Sequence, residues 1–143
     1  MLRLLLAAGL GAAIGVEREL RQKAAGLRTN ILIAVGSALF TIVSIELARA
    51  GGASDRIAAQ IVTGIGFLGA GSILRSGKSV HGMTTAATIW VNAAVGMAAG
   101  AGLYTVATAG TIITLVVLAV LPYVEERLDR YAGVADSRRI GDR

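Results

Sequence analysis

The residues with the chemistry to do something are few and lie in bursts. Glu17, Arg18 and Glu19 close the first apolar run. A carboxylate at such a boundary can hold a cation or pair with an arginine such as Arg28. Magnesium needs several oxygen ligands around one point. Glu17 and Glu19 stand at one end of the next apolar run and Asp55 at the other, so the acids do not converge and no metal site is predicted. There is no cysteine, which removes thiol nucleophiles, disulfides and iron–sulfur ligation. The one histidine, His81, removes every multi-histidine metal site. Ser72 and His81 can be drawn as a nucleophile and base, but no acid stands near to orient the imidazole. Gly64, Gly66 and Gly69 spell GxGxxG. A dinucleotide site would need an acid about 20 residues on, and none occurs between Asp55 and Glu125. The expectation is therefore no enzyme and no cofactor.

Those same glycines, with Gly71 and with Gln60 on the same stretch, suit helix packing better. Gly66 and Ala70 form a small-xxx-small pair. The sharper alternative is a broken helix lining a substrate site.

What positions these groups is a chain with an apolar interior grammar. Hydrophobic residues are 55% before 19 glycines are counted, charged residues only 16%, and mean hydropathy is +0.69. A water-soluble domain this small needs more polar surface. The charge-free run from Ser79 to Val124 has 46 residues. As one helix it would be on the order of 70 Å long, twice the hydrocarbon core of a bilayer. It must fold back, and the turn is predicted within residues 98–102, where Gly100 and Gly102 weaken the helix. Spans are expected near residues 2–16, 30–48, 57–75, 84–100 and 103–124. Continuous apolar runs rather than alternating ones call for helices, not a barrel. The predicted fold is an all-α integral membrane bundle of about five helices over residues 1–131, followed by a polar, disordered tail over 132–143. The short first span also fits a cleaved signal peptide or a start further upstream.

Lysine and arginine counting orients the bundle. Arg18, Arg21, Lys23, Arg28, Arg75, Lys78, Arg127, Arg130, Arg138, Arg139 and Arg143 would fall on one side, and Arg3, Arg49 and Arg56 on the other. Eleven against three predicts the N-terminus outside and the C-terminus in the cytoplasm. The net charge of +5 is thus read as loop anchoring and not as nucleic-acid binding, since no basic stripe with interleaved aromatics exists.

Polar residues also recur at helical spacing. Thr84, Thr88 and Asn92 follow at i, i+4, i+8, with Thr85 beside them; Ser37, Thr41 and Ser44 do similarly upstream. In lipid such faces seek partners on neighbouring helices, so they are expected as glue or as a mildly polar path. Asp55 and Arg56 are expected to cap the third helix on the outer side, with Ser54 as competitor. Glu17–Arg21 and Glu19–Lys23 stand at i,i+4. At the cytoplasmic side, Glu17 is expected to pair with Arg28 or Arg75. That would join Glu17–Thr29 and Arg75–Thr85 into one surface with His81 at its edge, expected as a pH-sensitive element.

Two long stretches, GAAIGVERELRQKAAGLRTNILIAVGSALF (Gly11–Phe40) and DRIAAQIVTGIGFLGAGSILRSGKSVHGMTTAATIWVNAAVGMAAGAGLY (Asp55–Tyr104), together resemble the MgtC/SapB family of bacterial inner-membrane proteins. The recurrent positions map onto Glu17, Arg18, Glu19, Gly26, Leu27, Arg28, Thr29, Asp55, Arg56, Gln60, the four glycines from Gly64 to Gly71, Arg75, Gly82 and the Thr84–Thr88 run; Asn92 is added from the polar face alone. The resemblance implies a multi-pass inner-membrane protein tied to growth in low magnesium and to survival inside host cells. It implies regulation by binding other membrane proteins, such as the ATP synthase, rather than magnesium transport. Longer members carry a cytoplasmic C-terminal α/β domain. The expected partners are the bilayer, a second copy of the chain (a dimer first) and another membrane protein. The alternatives are an ion or solute transporter or channel, marked by intramembrane acids, and a structural oligomerisation module.

Overall fold

The computed structural model describes residues 1–51, 55–77 and 79–131; the side chains of Asp55, Arg56, Ala58, Asp129 and Tyr131 lie outside that description. The described chain is five helices: α1 (Leu2–Leu20), α2 (Leu27–Arg49), α3 (Asp55–Gly71), α4 (Met83–Ala101) and α5 (Tyr104–Tyr131). Between α3 and α4 a short antiparallel hairpin joins β1 (Leu74–Ser76) to β2 (Ser79–His81). The tail expected over 132–143 lies outside the described residues.

The hairpin corrects one expectation. The third apolar run was read as helical to residue 75, yet α3 stops at Gly71. The N–H and Oγ of Ser72 both donate to the Gly69 carbonyl, at 3.0 and 2.7 Å, and the Ile73 N–H donates to Ala70 at 3.1 Å. Those i→i+3 bonds tighten the last turn and end the helix. Gly82 then enters α4 with φ +89°, and a Cβ there would overlap the Ser72 carbonyl oxygen. Only glycine fits that place. The turn predicted at 98–102 is present: Gly102 takes φ +84°, and the Leu103 N–H reaches the Ala98 carbonyl at 2.9 Å.

Helices α1, α2 and α4 form the packed centre, and each brings small residues four apart. An added Cβ on Gly11 would lie 2.8 Å from Ala34, and one on Gly15 2.8 Å from Leu27. On α4, a Cβ at Gly96 would overlap the Ala34 carbonyl oxygen, and one at Gly100 would sit 2.5 Å from that of Ala38. Gly11-Gly15, Ala34-Ala38 and Gly96-Gly100 thus let three backbones approach closely. Arg3 Nη1 donates to the Gly100 carbonyl at 3.0 Å, tying the start of α1 to the end of α4. Alternate helices therefore run in opposite directions, and the 21–26 loop, the hairpin and the end of α5 share one end.

The interior is small or polar and the exterior large and apolar. Ala7, Ala34, Ala38, Ala99 and Ala107 are fully buried, with Asn30, Ser44, Thr88 and Asn92 beside them. Leu32, Phe67, Trp90 and Ile113 are more than half exposed. Among the described residues, two helices, Leu27–Arg49 and Tyr104–Leu128, are long and apolar enough to cross a membrane, with mean hydropathy 2.2 and 2.1.

Candidate functional site

The charged end of the bundle is built on the last turn of α1. Arg18 continues the inward stripe of Ala7, Gly11, Ile14 and Gly15, so its side chain is 97% removed from solvent. It had been expected on a charged surface. Its Nε reaches Glu17 Oε2 at 2.5 Å, and Arg21 Nε reaches Glu17 Oε1 at 2.7 Å. The expected pairing of Glu17 with Arg28 or Arg75 is therefore wrong. Arg18 on the same turn and Arg21 just past the end of the helix reach it first. Arg21 also donates to the Ala119 carbonyl at 3.3 Å and lies over the Tyr123 ring at 6.0 Å, fastening α1 to α5.

Glu19 was expected to face Lys23. The helix ends at Leu20, so that spacing is lost. Glu19 Oε2 instead accepts the Leu27 N–H at 2.9 Å and caps α2, beside Gly26, where a Cβ would overlap the same carboxylate. Arg28 and Thr29 then stand exposed on the first turn of α2, and Arg75 and His81 on the hairpin. Arg75 Nε donates to the Gly77 carbonyl at 3.3 Å. No described carboxylate pairs with Arg28 or Arg75.

One turn deeper lies the polar joint between α2 and α4. Asn30 Nδ2 donates to the carbonyls of Ala25 and Gly26, at 2.8 and 2.9 Å. Asn92 Nδ2 donates to the Asn30 carbonyl at 2.7 Å and to Asn30 Oδ1 at 3.1 Å. Both asparagines are fully buried, and Asn92 Oδ1 has no described partner. The threonines correct a further expectation. Thr88 Oγ1 donates to the Thr84 carbonyl and Thr41 Oγ1 to that of Ser37, both at 2.8 Å. They bond their own helices at i−4 and do not join neighbours. Thr85 is buried and Thr84 exposed on the first turn of α4. Asn30, the acceptor half of the joint, was missed; its place two residues after Arg28, on the inward face with Ala34, was the available signal.

Helix α3 departs most from expectation. No described heavy atom comes within 4 Å of a Cβ added at Gly64, Gly66 or Gly71, and at Gly69 the nearest, in Ala86, is 3.7 Å away. Among the described residues Gly64, Gly66 and Gly71 are not a packing seam, whereas Gly69 is buried in ordinary contact with Ala86, as expected of it. The close packing is done by the glycines of α1 and α4. Among the described side chains of α3, only Ile61, Ile65 and Gly69 are buried, while Phe67 is 82% exposed. Between α3 and α2 runs a groove of about 610 Å³, with Gln60 and Gly64 on one wall and Thr29, Gly36 and Phe40 on the other. The backbone of Asp55 and Arg56 begins α3, and the expected cap by their side chains lies outside the described residues, as does Ser54. Among the described residues, no group of three or more acids, histidines or cysteines could hold a metal ion.

Sequence comparison places these features in a wider set. The model of the MgtC family matches residues 4–127. The "Putative magnesium transporter YhiD" of Escherichia coli (strain K12) is 50% identical over 135 residues, covering 90% of this chain and 63% of that protein. Protein MgtC of Salmonella paratyphi A is 45% identical over 139 residues, 97% of this chain and 59% of that protein. The protein slr0014 of Synechocystis is 52% identical over 116 residues, covering 81% of this chain and 49% of its own length. The chain thus spans about half to three fifths of the relatives it matches. No solved structure matches it.

Proposed function

The chain belongs to the MgtC family, and from that premise we propose that it is a five-span protein of the bacterial inner membrane, N-terminus out and C-terminus in. It acts in magnesium-poor conditions by contact with other membrane proteins and carries no catalytic chemistry of its own. The observation that carries the membrane part is the inverted distribution of side chains. Alanine, serine, threonine and asparagine fill the centre, and leucine, phenylalanine and tryptophan face out. In water that arrangement would expose far more apolar surface than a monomer tolerates. In lipid it is the arrangement that packs.

Contact rather than transport is supported by where the polar groups are spent. Glu17 is occupied by two arginines, the asparagines hold α2 to α4, and backbones touch through glycine along α1, α2 and α4. Such a centre leaves little room for an ion lane. Helix α3 turns Thr63, Gly66, Phe67 and Ala70 outward on one face, which suits a partner helix, either a second copy or another membrane protein. The transporter reading in the name of the E. coli relative is the alternative. The unpartnered Asn92 Oδ1 is the feature that favours it. The test is growth of a strain lacking its own family member in low magnesium, paired with magnesium flux in vesicles containing the chain. The proposal expects restored growth without flux. Flux that depends on Asn92 would make the protein a transporter.

A further inference from the structure

The groove between α2 and α3 has two ends of different character. Its walls run from Thr29 to Phe40 on α2 and from Leu68 back to Ile57 on α3. Each wall covers roughly 16 Å at 1.5 Å per residue. The lining is almost wholly apolar. Gly36 and Gly64 face each other's walls without side chains, and no described atom comes within 4 Å of a Cβ added at either. A volume of about 610 Å³ spread over that length, with an almost wholly apolar lining, suits an acyl chain.

The Thr29–Leu68 end of the groove opens on the end of the bundle that carries the positive charge. Arg28 precedes Thr29 on the exposed first turn of α2, and Arg75 follows α3 in the hairpin. The nearby acids are occupied: Glu17 by Arg18 and Arg21, Glu19 by the Leu27 N–H. Helix α5, with Glu125 and Glu126, packs on α1 and α4, across the bundle from the groove. Arg28 and Arg75, which no described carboxylate pairs with, therefore belong to the elements at that end of the apolar slot. A planar guanidinium binds a phosphodiester through paired N–H donors, and basic pockets between helices on the cytoplasmic side hold anionic head groups.

We propose that the α2–α3 groove is a binding site for one anionic glycerophospholipid of the inner leaflet, its acyl chain between the two helices and its phosphate at Arg28 and Arg75. Free phosphate would use only the mouth; the slot behind it is what selects a lipid. The inference rests on the membrane reading above and sharpens it.

The test uses the full chain purified in neutral detergent, with phosphatidylglycerol or phosphatidylcholine added and retained lipid read by native mass spectrometry. The expected result is one retained phosphatidylglycerol, preferred at least tenfold over phosphatidylcholine. Arg28→Gln with Arg75→Gln should bring the two lipids level while leaving melting unchanged. Gly36→Leu or Gly64→Leu should fill the slot and abolish retention of both, and each has open space in which to fold. Equal retention of the two lipids by the parent chain, or undiminished phosphatidylglycerol in a filled groove, overturns the site. So does a filled groove that splits a dimer while lipid stays bound, which would assign the groove to a second copy. Carbonate extraction of the parent chain from membranes separates the two readings. A chain released by carbonate refutes the membrane assignment itself; a chain that stays in the membrane but shows no lipid preference refutes only the site.

Discussion

The three-helix centre of α1, α2 and α4 and the edge helix α3 both contain glycines at short spacing, yet they use them in opposite ways. Gly96 and Gly100 lie against the carbonyls of Ala34 and Ala38, where a methyl group has no room. Gly64 and Gly66 look into open space. The centre also holds the buried Asn30, Asn92 and Arg18, whose donors reach a neighbour by short bonds. The edge holds Gln60 and Thr63 exposed. Glycine spacing alone therefore does not locate a packing seam. What distinguishes the seam is a matching small residue at the same depth on the facing helix, as Ala34 and Ala38 are for Gly96 and Gly100.

The largest difference between the regions is expected at the charged end. Glu17→Gln leaves Arg18 buried without a carboxylate, at a cost of about 3–5 kcal/mol. Arg28→Gln, on the exposed turn of α2, should change stability by less than about 0.5 kcal/mol. Thermal unfolding in detergent compares them, and equal losses would erase the distinction. The same substitution at two glycines sharpens it further. Gly96→Ala should destabilise by about 1–3 kcal/mol, because its methyl meets backbone and not a movable side chain. Gly64→Ala should stabilise by about 0.5–1 kcal/mol, since alanine favours helix and nothing is in the way.

Smaller effects follow in the polar joint. Asn92→Ala removes two donors from Asn30 and should cost about 1–2 kcal/mol. A double-mutant cycle with Asn30→Ala should return only the smaller share carried by Asn30 Oδ1 as coupling, because the 2.7 Å bond to the Asn30 main-chain carbonyl survives that substitution; coupling equal to the whole loss would contradict that division. Thr88→Val should be close to neutral, within about 0.5 kcal/mol, because its hydroxyl only decorates a carbonyl already bonded within α4. A large loss there would restore the interhelical role first read from its spacing.

Much of the architecture was legible in the chain. Apolar run lengths and charge bursts set the five helices, and Gly102 marked the fold-back because a helix ends readily on a left-handed glycine. Which glycines pack was not legible. That depends on the register between helices far apart in sequence, such as the 62-residue separation that joins Asn30 to Asn92. Glu17's true partners were obscured for a related reason. Spacing showed Arg21 within reach, but not that Arg18 would turn inward behind Gly15 and draw the carboxylate with it. The hairpin after α3 was hidden because Leu74 and Val80 extend an apolar pattern that the Ser72 turn interrupts.

The proposed membrane-crossing bundle, with its charged loops inside the cell, is tested most directly by single cysteines. The natural chain has no cysteine, so single cysteines report cleanly. In intact cells, a membrane-impermeant maleimide should label Ala50→Cys, at the end of α2, and leave Ser76→Cys, in the hairpin, unlabelled until the cells are broken. Labelling of Ser76→Cys in intact cells, or protection of Ala50→Cys there, would contradict the claim.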